Sequence, residues 1–278
     1  MKTTVEKNLV AVVALLMCAG GSRAAELHPI VDVQSGYLLG ATKDGKWVKA
    51  DEAAKELPDQ TTYVVYGLTE SLGEVKGGKP KGEEGPCEGT WFVGLSDKPE
   101  KGTIALAAPW NALPRNLRPL DTTQAVYIDA VGGFLKTKGI TEPKVKIDSI
   151  FRVDLDGDGE DEVLISATNY FSQDNSVPMR SPAGSYSMVL LRRVVAGKVE
   201  TQLVAGEFHP KAYQGKGSDE DASFDAPNAY KIMGAFDLDG DGKMEIVIGS
   251  NYYEGEEITI YRCDPEKVEA LLSVSCGA

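Results

Sequence analysis

The sequence predicts a mainly β protein of antiparallel, blade-like four-stranded sheets, with acidic hairpins and one linking helix. Three observations carry this expectation. Short β-branched and aromatic runs recur between Gly-, Pro- and Asp-rich breaks. A nine-residue acidic segment occurs twice, as Asp154-Leu155-Asp156-Gly157-Asp158-Gly159-Glu160-Asp161-Glu162 and as Asp237-Leu238-Asp239-Gly240-Asp241-Gly242-Lys243-Met244-Glu245. The similarity also continues past each segment, so a larger unit is repeated.

Each acidic segment is followed by a strand-type run, Val163-Leu164-Ile165-Ser166 in one copy and Ile246-Val247-Ile248-Gly249 in the other. Asn169-Tyr170 then matches Asn251-Tyr252, and Met188–Arg192 matches Ile258–Arg262. Each unit therefore reads strand, hairpin, strand, loop, strand, turn, strand, over 147–208 and 232–278. The first unit carries an insertion around Phe171–Ser185, rich in Ser, Pro, Asn and Gly.

The acidic segments put carboxylates at positions 1, 3, 5 and 9. Crowding four negative charges is costly without a cation among them. Ca²⁺, which takes six to eight oxygen ligands at about 2.3–2.6 Å, fits that donor set. The two glycines of each segment permit positive φ, so alternate side chains turn inward. Position 7, Glu160 or Lys243, would add a backbone carbonyl. An EF-hand is excluded, because it needs a bidentate Glu at position 12 between helices. Position 12 is Ile165 or Ile248, and the flanks are strands. The plain alternative is a pair of Asp- and Gly-rich turns, but two copies with one ligand spacing favour a metal.

Phe151–Gly159 and Gly234–Gly242 resemble the FG-GAP/VCBS repeat of integrin-alpha-type β-propellers. The resemblance covers the chain from Ile147 onward and implies a Ca²⁺ in the hairpin between the first two strands of each blade. Carried over by position, the ligands of the two ions would be Asp154, Asp156, Asp158 and Glu162, then Asp237, Asp239, Asp241 and Glu245. The ninth position is Glu where the family more often has Asp. Two recognisable repeats imply a partial or small propeller, since a closed ring takes four or more blades.

The first residues read as a secretory signal over 1–24: Lys2 and Lys7, an apolar core Leu9–Met17, then small residues to Ala24. The apolar run is too short to span a bilayer. A lipoprotein anchored through Cys18 is the rival reading, with Met17 where a small residue is expected. Either address is extracytoplasmic, secreted or periplasmic. Cleavage would remove Lys2, Lys7, Arg23 and Glu6, moving the net charge from −13 to about −15. That acidity argues against nucleic acid and anionic membranes as partners. Of Cys87, Cys263 and Cys276, the last two flank the final hairpin and are the expected disulfide.

The segment 25–120 reads as β-rich, with a short helix near Ala50–Glu56 and a core-free loop over Lys76–Gly85. Its strands are either calcium-free blades or a small separate barrel. An amphipathic helix is expected over Thr122–Lys138, with Val126, Val131, Phe134 and Leu135 on its apolar face. It forms the linker 121–146. Catalytic constellations are thin: His28 and His209 have no zinc spacing, and no nucleophile elbow or phosphate loop occurs. Trp47, Trp91 and Trp110 fit either a sugar platform or the core. Asp219, Asp221, Ser223 and Asp225 read as a solvated acidic loop. The expected function is a calcium-stabilised binding module for a glycan, peptide or surface partner, through loops Phe171–Ser185, Gln214–Pro227 and Asn251–Glu257. A purely structural envelope protein is the alternative, and a calcium-dependent hydrolase would need an open cleft that the sequence does not announce.

Overall fold

A computed structural model describes residues 26–85, 87–170, 177–215 and 224–277. The expected signal segment with Cys18 lies outside them, as do Asp219, Asp221, Ser223 and part of the expected binding loops. The chain is mainly β, in three open antiparallel sheets and one two-stranded ribbon.

The first sheet has six strands in the order β3-β2-β1-β8-β4-β5. They are β1 (Leu27–Asp32), β2 (Leu38–Lys43), β3 (Lys46–Lys49), β4 (Thr61–Tyr66), β5 (Ser71–Gly77) and β8 (Ile104–Leu106). It is open, which overturns the small barrel. Helix α1 (Ala50–Glu56) falls where the sequence places it and buries Ala53 and Ala54. The expected core-free loop over Lys76–Gly85 instead contains the end of β5 and the short β6 (Lys81–Gly82), paired with β7 (Trp91–Phe92).

The second sheet is β13-β12-β11-β10-β9. Its strands are β9 (Arg118–Pro119), β10 (Ile147–Val153), β11 (Glu162–Thr168), β12 (Ser185–Val195) and β13 (Lys198–His209). The first repeat thus supplies four strands and borrows β9 from the N-terminal half. Helix α2 (Ala125–Thr137) covers this sheet, burying Tyr127, Val131 and Leu135, four residues apart, beside Ile150, Ile165 and Met188. Val126 lies off that stripe and is 56% exposed, contrary to its expected place on the apolar face.

The third sheet is the meander β14 (Ala229–Phe236), β15 (Glu245–Tyr252), β16 (Gly255–Cys263) and β17 (Val268–Gly277). One buried apolar cluster runs through all three sheets, from Ile30, Leu39 and Ile104 through Phe151, Leu164 and Val189 to Phe236, Ile246 and Ile260. β14 packs on β11 and β12, and β17 packs on β2 and β3. The last contact is close: a Cβ on Gly40, at φ +142°, would lie 2.7 Å from the Leu272 side chain.

The cysteines do not pair as expected. Cys87 bonds Cys276, with Cα atoms 4.8 Å apart, and Cys263 is free. The register explains why: Cys263 faces Val268 while Cys276 faces Glu256, at opposite ends of the β16–β17 hairpin. Eight residues of strand separate them by roughly 26 Å, far beyond disulfide reach. Burial pushes the Cys263 thiol up to about 12, which favours the protonated form at neutral pH.

Candidate metal centre

Both acidic segments are hairpins, the first between β10 and β11 and the second between β14 and β15. They are built alike to the level of single hydrogen bonds. Asp154 accepts from the backbone N–H of Gly157 at 2.7 Å and of Gly159 at 3.1 Å. Asp237 accepts from Gly240 and Gly242 at the same distances. Asp156 and Asp239 accept from the N–H two residues on. Asp158 and Asp241 do the same toward Glu160 and Lys243, at 2.7 Å in each loop. Glu162 closes the first loop by accepting the Leu155 N–H at 2.8 Å, and Glu245 closes the second through Leu238 at 3.1 Å. The turns require φ of +81° and +91° at Gly157 and Gly159, and +78° and +86° at Gly240 and Gly242.

This scaffold gathers positions 1, 3 and 9. Asp154, Asp156 and Glu162 offer oxygens all within 4.8 Å of one another, as do Asp237, Asp239 and Glu245. Two oxygens on one Ca²⁺ lie no farther apart than about 5 Å, so either triad matches one ion. Asp158 and Asp241 fall outside the triads, each with one oxygen engaged in the turn. Glu160 and Lys243 stand at the turn with side chains exposed.

Burial makes Glu162 in the first triad, and all three carboxylates of the second, costly as bare anions. It raises the Glu162 carboxyl, with Asp156 adding and the Leu155 N–H and Arg193 opposing. It raises Asp237 and Asp239 in the same way. Glu245 is pushed up to about 8, first by burial and then by Asp239, against the Leu238 N–H and Arg262.

Three arginines that the sequence did not single out organise the site. Arg262 pairs with Asp239 and, at 3.1 Å, with Glu245, so the second triad contains its own counter-ion. The Trp47 ring lies 5.8 Å from that guanidinium. The sequence match set Arg192 against Arg262, but the ladders correct it by one residue. Val163 faces Arg192 and Ile246 faces Tyr261, which puts Arg193 opposite Glu162 as Arg262 is opposite Glu245. Arg193 donates instead to the Cys263 carbonyl at 2.8 Å, leaving the first triad without a direct ion pair among the described residues. Arg115 braces the two loops together, donating to the carbonyls of Asp154, Leu155 (3.0 Å) and Gly242 (2.8 Å). The Met244 N–H also bonds the Leu155 carbonyl at 2.8 Å. A cavity of about 40 Å³ between the loops is lined by Asp156, Glu162, Arg193, Glu245 and Arg262, room for little more than a water or an ion.

The tryptophans serve packing. Trp47 and Trp110 abut the main core and Trp91 the core under the first sheet. Trp110 lies against Gly240, where a Cβ would come within 3.0 Å of the ring, and its Nε1 donates to the Asp237 carbonyl at 2.9 Å. His28 stacks edge-on to Trp110, and His209 lies between Glu207 and Asp225 at 3.6 and 3.7 Å. Asp225 also holds the Ser181 N–H at 2.8 Å. Among the described residues no helix is long and apolar enough to cross a membrane.

Compared with family models, curated proteins and solved structures, the chain finds no match in any of the three.

Proposed function

We propose that this is an extracytoplasmic calcium-binding repeat protein of the FG-GAP/VCBS type, acting as a binding module whose two ions hold the hairpins rigid. The observation that carries this reading is the shared hydrogen-bond scaffold, which gathers the same three carboxylates in both loops. Asp154, Asp156 and Glu162 would hold one ion, and Asp237, Asp239 and Glu245 the other. Asp158, Asp241 and the carbonyls of Glu160 and Lys243 would complete the shells. When bound, Ca²⁺ neutralises carboxylates that burial has made costly; the protein positions them. Binding to the folded state alone stabilises by about 2.7 kcal/mol at a hundredfold excess over Kd.

The Cys87–Cys276 bridge is consistent with an oxidising compartment. Recognition, rather than a purely structural role, is favoured by the Phe224–Tyr253 ring pair, centroids 5.9 Å apart. It joins the segment between the repeats to the β15–β16 turn. A glycan or a surface protein suits such an aromatic edge.

A calorimetric Ca²⁺ titration of the chelator-stripped protein tests the reading. Two equivalents with Kd of roughly 10⁻⁴ M or tighter are expected. Asp239→Ala should remove one equivalent and Asp156→Ala the other. Unchanged stoichiometry in Asp239→Ala would sink the assignment, and no binding at all would return the loops to acidic turns.

A further inference from the structure

One short segment ahead of both repeats, Trp110-Asn111-Ala112-Leu113-Pro114-Arg115, grips the main chain of both acidic loops. Position 1 is held in each. The Trp110 indole N–H donates to the Asp237 carbonyl, and the Ala112 carbonyl accepts the Asp237 N–H, both at 2.9 Å. Arg115 donates to the Asp154 carbonyl, and its Nη2 reaches Leu155 of the first loop at 3.0 Å and Gly242 of the second at 2.8 Å. The segment is itself braced. The Asn111 side chain bonds both the N–H and the carbonyl of Leu113, the Tyr66 hydroxyl accepts the Ala112 N–H, and Ala112 and Leu113 are buried. All three Arg115 acceptors are main-chain carbonyls, whereas Arg262 pairs with two carboxylates. Arg115 therefore fixes loop shape without competing for a metal ligand.

The loops also meet directly, through a single peptide unit. The Met244 N–H bonds the Leu155 carbonyl at 2.8 Å. On the opposite side of the same trans peptide is the Lys243 carbonyl, the main-chain oxygen assigned above to the second ion. Leu155 is 4% exposed, and its own N–H is held by the Glu162 carboxylate of the first triad at 2.8 Å. Fixing the Lys243 carbonyl in the second loop thus aims the Met244 N–H at Leu155. Fixing Glu162 in the first loop sets Leu155 to receive it. Arg115 shares that Leu155 carbonyl and clamps Gly242, one residue before Lys243. Ordering achieved in one loop is then already in place for the other, which is positive coupling.

We propose that Arg115 is a positioning residue that makes the two loops one cooperative unit, so that calcium in either loop strengthens binding in the other. The proposal rests on the calcium reading of the loops and adds to it the linkage between them.

Calorimetric Ca²⁺ titrations of the full protein measure that linkage. The product of the two affinities in the unmutated protein is divided by the product of the single-site affinities of Asp156→Ala and Asp239→Ala. The quotient should be about five or more, and with Arg115→Met added to all three proteins it should fall to about one. Damage done by the Asp→Ala changes themselves would leave the quotient unaltered by Arg115→Met, which separates coupling from a merely structural effect. Should Arg115→Met fail to fold, Arg115→Lys carries the same comparison, since one ammonium cannot span the three carbonyls; its quotient should lie between the other two. Hydrogen exchange gives a second readout: in Asp239→Ala, filling the first loop should slow exchange of the Met244 amide in the empty second loop. No calcium uptake at all would defeat the calcium reading and this proposal together. Two equivalents with a quotient of one or less, or a quotient undiminished in the folded Arg115 variant, would overturn the coupling alone.

Discussion

Replacing Arg262 with Met should destabilise the calcium-free protein by about 3 kcal/mol while tightening calcium at the second loop. The two effects share one cause. Asp239 and Glu245 are almost wholly buried, with side chains 5% and 1% exposed, and Arg262 is the cation that pairs with both. Removing one member of a buried ion pair leaves an uncompensated charge and costs about 3–5 kcal/mol. The partial exposure of Arg262 itself sets the lower end of that range. Met keeps much of the side-chain volume, so packing changes little. An entering Ca²⁺ would otherwise have to displace the guanidinium, and without it affinity should rise about tenfold or more. Arg262→Lys should fall between. Urea unfolding in chelator and in excess Ca²⁺, paired with calorimetry, reads both quantities. If Arg262→Met instead loses calcium at the second loop, the guanidinium supports the ion's shell and the counter-ion reading fails.

Removing the Cys87–Cys276 bridge should cost about 2–5 kcal/mol. The bridge closes a loop of 189 residues, for which chain entropy alone gives roughly 5 kcal/mol as an upper value. It also ties the β6–β7 ribbon to the last strand, so the unbridged chain regains freedom at both ends of that contact. Cys87→Ser, Cys276→Ser and the double variant should share one lowered denaturation midpoint, and Cys263→Ser should leave the bridge intact. Peptide mapping of the unreduced protein should recover Cys87 linked to Cys276. Equal midpoints with and without reductant would refute the stabilising role.

How much of this was legible depended on sequence distance. The hairpins, the repeated unit and the strands flanking it follow from local spacing, because residues 154–162 and 237–245 contain their own carboxylates and glycines. Helix α1 was legible for the same reason. What sequence reading missed is long-range. Arg115 reaches loops about 40 and 127 residues away, and nothing about a lone Arg after a proline announces such a role. The one-residue error at Arg192 arose because the copies were matched by residue type. The insertion between β11 and β12 of the first copy breaks any alignment by counting, and only the ladder reveals which arginine faces Glu162. Cys263 and Cys276 looked adjacent because hairpin ends were inferred without register. Val126 misled because it lies one position from the stripe set by Tyr127, Val131 and Leu135.

The seat of Trp110 against Gly240, with its indole N–H on the Asp237 carbonyl, makes the protein its own optical gauge. Trp47 lies near Arg262 at the same loop, while Trp91 lies in the separate core under the first sheet. Intrinsic emission should therefore respond to filling of the second loop and stay nearly silent on the first. A titration followed by fluorescence would trace one site, calorimetry would trace both, and the gap between the two curves would show which loop fills first.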